Sequence, residues 1–110
     1  MKNSVSNEIE SENTEHSFNT SQEAPDPVYA TIGNMPGEIF LQWDSIKSAN
    51  KYMIEISLKY PVKWQQVDIV KDPVYNFTGL KPSTEYLFRV AAVYPEGTGK
   101  WSRSIIKKTN

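Results

Sequence analysis

Beyond a proline–aspartate–proline step at residues 25–27, apolar side chains recur at every second position in short runs separated by turn-forming residues. A period of two sends alternate side chains to opposite faces of an extended backbone, so each run reads as a strand with one face available to a core. Val28 to Ile32 is the first, closed by Gly33-Asn34 and Pro36-Gly37. Ile39, Leu41 and Trp43 alternate with Phe40 and Gln42 in a second, and Tyr52, Ile54 and Ile56 with Met53, Glu55 and Ser57 in a third. Residues 64–70 supply a fourth and residues 74–78, with Tyr75 and Phe77 on one face, a fifth. Tyr86, Phe88, Val90 and Ala92 share one face of the sixth. Residues 101–108 form the seventh, with Gly97-Thr98-Gly99 expected as the hairpin turn before it. Helical periodicity interrupts none of them. The spacing predicts an all-β, seven-stranded Greek-key β-sandwich.

Residues 1–24 are of another kind, rich in Asn, Ser, Thr and Glu, with Val5, Ile9 and Phe18 as isolated apolar side chains. Such a composition does not bury enough surface to offset its ordering entropy, and an extended or disordered acidic arm is expected. Ile9, Glu12 and His16 stand at helical spacings, which leaves a partner-induced helix as an alternative. Each proline at 25–27 fixes its φ and holds its predecessor extended, so the boundary is placed there: residues 1–24 as arm or tether, residues 25–110 as the folded domain. The net charge of −1 conceals a split. Residues 1–26 carry six acids against Lys2, giving −5, and the remainder carries eleven Lys and Arg against seven acids, giving +4. An acidic arm on a mildly basic body can fold back on it or reach for another basic surface.

Several function classes find no support. The chain has no cysteine, which excludes a disulfide framework, a thiolate metal site and a thiol nucleophile. Its one histidine, His16, stands in the arm, so Ser-His-Asp catalysis would have to draw its base from there and not from the folded domain. Asp44 with Glu55, and Asp68 with Asp72, are acid pairs without the shared cleft that drives two pKa values apart, and Asp68 and Asp72 alone are too few oxygens for calcium. No catalytic residue, metal ligand or cofactor is therefore expected. Lys59, Lys63, Lys107 and Lys108 are too dispersed in sequence for a nucleic-acid face. No apolar stretch is long enough for membrane insertion, and residues 1–10 are too polar for a signal peptide, which points to a chain that is not exported by a cleaved leader.

The strand sequences resemble the fibronectin type III family. Four segments carry the likeness: the strand ending in Trp43, the Tyr-x-Ile-Glu-x-Ser pattern of residues 52–57, the stretch from Phe77 through Leu80, Pro82 and Tyr86 to Val90, and the Gly97 to Ser102 segment. The resemblance implies a two-sheet sandwich pinned by Trp43, with Leu41, Tyr52, Ile54, Leu80, Phe88 and Val90 in the core. It also implies a tyrosine corner in which the Tyr86 hydroxyl meets a backbone group across the preceding connection. The Arg-Gly-Asp motif of adhesive members is absent, and Trp101-Ser102-Arg103-Ser104 supplies half of the doubled Trp-Ser signature of cytokine-receptor relatives.

If Tyr52, Ile54, Tyr86, Phe88 and Val90 point inward, then Met53, Leu87, Arg89, Ala91 and Val93 point outward, on a sheet of the third, fourth, sixth and seventh strands. That face is apolar for a solvated surface, and Trp64, Tyr94 and Trp101 are expected to extend it. Met53, Trp64, Leu87, Arg89, Ala91, Tyr94 and Trp101 are thus the candidate partner-binding residues. Flanking lysines and acids covering the patch are the alternative. The expected function is that of a non-catalytic structural or interaction module. It would be displayed on, or decorate, a larger assembly such as a bacteriophage virion or a cell-surface structure, through residues 1–24. The alternative is a carbohydrate-contacting accessory module of a secreted bacterial enzyme or surface protein, with Trp64, Tyr94 or Trp101 stacking on a glycan.

Overall fold

A computed structural model describes residues 23–110. Among them are eight strands: β1 (Val28–Ile32), β2 (Ile39–Trp43), β3 (Lys51–Leu58), β4 (Gln65–Val70), β5 (Val74–Phe77), β6 (Glu85–Tyr94), β7 (Gly97–Trp101) and β8 (Ile105–Lys108). All pairings are antiparallel. One sheet has the order β1-β2-β5, and the other runs β4-β3-β6, with β7 and β8 sharing the far edge of β6. Partners such as β2 with β5 and β3 with β6 are distant in sequence, and these crossovers wrap the two sheets around one core.

The expected seventh strand is two strands. Gly97–Trp101 pairs with the C-terminal part of β6, and Ile105–Lys108 with its N-terminal part. The break falls at Ser102, which is buried and carries the ladder across the gap: its N–H donates to Val90 O at 2.8 Å and its Oγ accepts the Val90 N–H at 3.0 Å. A side-chain oxygen thus replaces a ladder carbonyl. It also follows that Gly97-Thr98-Gly99 lies within β7 and not in a turn, since Tyr94 faces Gly97 directly and Pro95-Glu96 closes the hairpin.

Between the sheets, Ile39, Leu41 and Trp43 of β2 meet Tyr52 and Ile54 of β3 and Phe88, Val90, Ala92 and Tyr94 of β6, all buried. Leu80 and Tyr86 pack against this cluster, partly buried. Trp43 and Tyr52 meet edge to face at 5.4 Å between ring centroids, and Phe77 contacts Phe88 at 5.1 Å. Aromatic rings of this size bury about 150–250 Å² each, which suits a core without disulfides. Trp43 Nε1 is buried without a hydrogen-bond partner among the described residues, a desolvation cost of about 1–3 kcal/mol that the ring's packing must exceed.

Hydroxyls close the connections. Tyr86 accepts the Lys81 N–H at 3.0 Å, forming the corner between β5 and β6, and Tyr52 accepts the Ile46 N–H at 2.7 Å. Thr109, buried beyond β8, donates to Lys81 O at 2.6 Å and accepts the Thr84 N–H at 3.0 Å. At Gly37, φ is +78° and a Cβ would collide with the Leu80 carbonyl, so the β1–β2 turn lies directly against the residues after β5. Where the chain enters the domain, Pro25 is fully buried and Glu23 O accepts a bond from the Tyr94 hydroxyl at 2.6 Å. The arm assigned to residues 1–24, including His16, lies outside the described residues up to residue 22.

Candidate functional site

The outer face of the larger sheet is assembled from residues that alternation turns away from the core. On β3 these are Met53, Glu55 and Ser57; on β6, Leu87, Arg89, Ala91 and Val93. The register sets them side by side, with Met53 opposite Ala91, Glu55 opposite Arg89 and Ser57 opposite Leu87. Neighbouring strands extend each end: Ile69 of β4 faces Met53, Trp101 of β7 faces Ala91, and Ile106 of β8 faces Leu87.

Arg89 organises the centre. Its Nε and Nη2 donate to Glu55 Oε1 at 2.9 and 2.7 Å, with the two side chains 25% and 15% exposed. The guanidinium lies 4.2 Å from the centroid of the Trp64 ring and 4.5 Å from that of Trp101. A planar cation between two indoles satisfies its in-plane donors at a carboxylate and its faces on π-systems, each stack worth about 0.5–2 kcal/mol depending on desolvation. Trp64 arrives from the β3–β4 connection, which Ser57 fixes by accepting the Lys63 N–H at 2.7 Å.

Of the seven candidate contact residues, Met53, Trp64, Leu87, Arg89 and Trp101 share this face and are half-buried. The other two do not present surface. Ala91 has no exposed area, flanked by Met53 on one strand and Trp101 on the next. Tyr94 is 2% exposed, because it continues the inward alternation of Phe88, Val90 and Ala92 along β6, and its hydroxyl holds Glu23 O. Burial, with Glu23 and Tyr52 adding to it, raises the Tyr94 pKa above its ordinary 10.0.

Glu55, Ile69 and Ile106 also belong to the face, although the sequence offered Glu55 only as an acid beside Asp44. An acid at an outward position of β3 and an arginine at an outward position of β6 was the available signal for Glu55. Ile69 and Ile106, 42% and 46% exposed, are the apolar side chains most accessible at its two margins. Among the described residues no three His, Asp or Glu side chains gather as metal ligands. Asp68 Oδ1 instead accepts the Ile69 N–H at 2.7 Å on the edge strand. No described helix is long and apolar enough to cross a membrane. The lysines at 59, 63, 107 and 108, dispersed in sequence, are brought to one end of the sandwich.

Comparison with known proteins places this geometry. The family model for the fibronectin type III domain matches residues 23–108. No curated protein matches the chain. Among solved structures, a Fn3-like protein from Clostridium thermocellum is 23% identical, with a TM-score of 0.67 over 76% of this chain and 92% of that one. The FN5 domain of Drosophila Lar is 30% identical, with a TM-score of 0.64 over 78% and 94%. The FN1–FN3 domains of chicken CNTN1 give 27% identity and a TM-score of 0.71, over 81% of this chain and 32% of the longer one.

Proposed function

Because the chain belongs to the fibronectin type III family, whose domains generally serve as non-catalytic interaction modules, we propose that it is a protein-contact module and that its contact surface is the outer face around Arg89. Residues 1–24 serve as the tether that links it to a larger assembly, of which a virion or a cell-surface structure are the leading kinds. The observation that carries the reading is the Trp64–Arg89–Trp101 stack on Glu55 with Met53 and Leu87 beside it. Arg and Trp are enriched where protein interfaces concentrate binding energy, and here both are held rigid before any partner arrives, which lowers the ordering cost of association.

Glycan contact is less well supported. Stacking on a sugar needs open ring faces, but one face each of Trp64 and Trp101 is taken by Arg89, and Tyr94 is buried. A photoreactive residue at Met53, compared with one at Val74 on the opposite sheet, tests the protein-contact reading in extracts of the source. A discrete adduct from position 53 and none from position 74 supports it. Equal labelling from both positions, or binding of a glycan array abolished by Trp64→Ala, would count against it.

A further inference from the structure

The body's charge excess is not spread over the sandwich. At the end where β3 stops and β6 begins, Leu58 lies opposite Tyr86, Tyr86 opposite Lys107, and Glu85 opposite Lys108. Lys59 continues from β3 and pairs with Glu85 at 3.4 Å. Lys81 is held there through its N–H on the Tyr86 hydroxyl, and Lys63 through its N–H on Ser57 Oγ. The acids at this end are Glu85 and Glu38, the latter in the β1–β2 turn that abuts Leu80. Five lysines against two glutamates leave three of the four excess charges of residues 27–110 at one end. Among the described residues, only Lys59 of the five has a carboxylate partner.

The same end carries an apolar groove of about 220 Å³, lined by Ile56, Leu58, Pro61 and the Tyr86 ring, with Lys63 at its edge. The loop beside it exposes Tyr60 (80%) and Val62 (54%). An apolar slot with Lys63 in its lining, at the end of the sandwich that the other four lysines share, fits an acidic segment that carries an isolated aliphatic side chain.

We propose that this end is the docking surface for the chain's own acidic segment around Ile9, residues 5–15. That segment holds Glu8, Glu10, Glu12 and Glu15 with no Lys or Arg, and its apolar residues are Val5 and Ile9. Ile9 enters the groove between flanking glutamates that face Lys63, Lys107 and Lys108. Reach selects the anchor. The described chain starts at Glu23, bound to Tyr94 at the opposite end of β6, and the eight residues from Tyr94 to Tyr86 span about 26 Å. The fourteen residues from Glu23 back to Ile9 extend to about 46 Å, whereas the five back to Phe18 extend to only about 17 Å. Ile9 reaches the groove and Phe18 does not. The inference concerns a different surface from the face around Arg89 and stands whether or not that face has a partner; it describes the free chain, in which docking competes with engagement of residues 1–24 by an assembly.

The absence of cysteine allows one nitroxide label in the 110-residue chain, at Asn7→Cys. At low salt, the amide signals of residues 58–60, 62–63 and 107–108 should lose more than half their intensity, while the loop at residues 44–50, beside the opposite end of β6, keeps its own. About 1 M salt, where the screening length falls to about 3 Å, should restore them, as should Lys63→Glu combined with Lys107→Glu and Lys108→Glu. Broadening strongest at residues 44–50, no broadening, or a pattern indifferent to salt and to the lysine variants would overturn the proposal. So would broadening that arises only between labelled and unlabelled molecules in a mixed sample, which would place the docked segment on a second copy.

Discussion

The two faces of β6 share one backbone and differ in what holds them. Inward, Phe88, Val90 and Ala92 are fully buried and contribute through packing. Outward, Leu87, Arg89 and Val93 stay partly in water, and order there comes from a directional cluster of an ion pair and two indole stacks. The core face therefore responds to volume, and the outer face to geometry and charge. A substitution that conserves size but changes shape or charge is mild on one face and disruptive on the other. This separation lets a small domain vary its outer face without unfolding.

The inward face should give the largest effect. Phe88→Ala removes a ring that touches Phe77 and Tyr86, and a loss of about 3–5 kcal/mol is expected in urea denaturation. A loss below about 1 kcal/mol would mean that the core collapses around the gap and that the two faces are less distinct than described. Next is the seam at the break between β7 and β8. Ser102→Ala leaves the Val90 N–H buried without its acceptor, for about 1–3 kcal/mol. Ser102→Thr, which keeps the oxygen, should recover part of that.

On the outer face, Arg89→Lys keeps the charge but gives up the planar fit between Trp64 and Trp101. About 1 kcal/mol is expected, together with a change in indole fluorescence that Lys81→Arg does not produce. A smaller effect separates the faces by pH. Burial raises the pKa of Tyr94, with Glu23 and Tyr52 adding, and burial followed by Asp68 raises that of Tyr75. Above the ordinary tyrosine value of 10.0, the folded state then holds protons that the unfolded chain has released. Stability from these groups is complete below about pH 10 and falls as pH rises through the raised folded values. Tyr94→Phe should flatten that alkaline decline, whereas Arg89→Lys should leave it unchanged.

The core was legible in the sequence because strand alternation is a local signal: Leu41, Trp43, Ile54, Phe88 and Val90 each follow from the residues two positions away. The outer face was legible only in part. Alternation turned Met53, Leu87 and Arg89 outward, but it carries no register, so the meeting of Arg89 with Glu55 across β3 and β6 was not readable. Tyr94 stands in the inward series of Phe88, Val90 and Ala92, so alternation itself places it in the core, against its expected place on the outer face. The gathering of Lys59, Lys63, Lys107 and Lys108 is likewise a product of topology, as more than forty positions separate the two pairs.

The proposed division of labour has the outer face making contact while the inner face makes the fold. Its most direct test is the yield of the adduct from a photoreactive residue at Met53 when Leu87, half-buried on the same face of the next strand, is replaced by Lys. The expected result is a protein that melts within about 4 °C of the parent and an adduct reduced at least about tenfold, the equivalent of about 1.4 kcal/mol of contact. An undiminished adduct from a folded Leu87→Lys protein would contradict it.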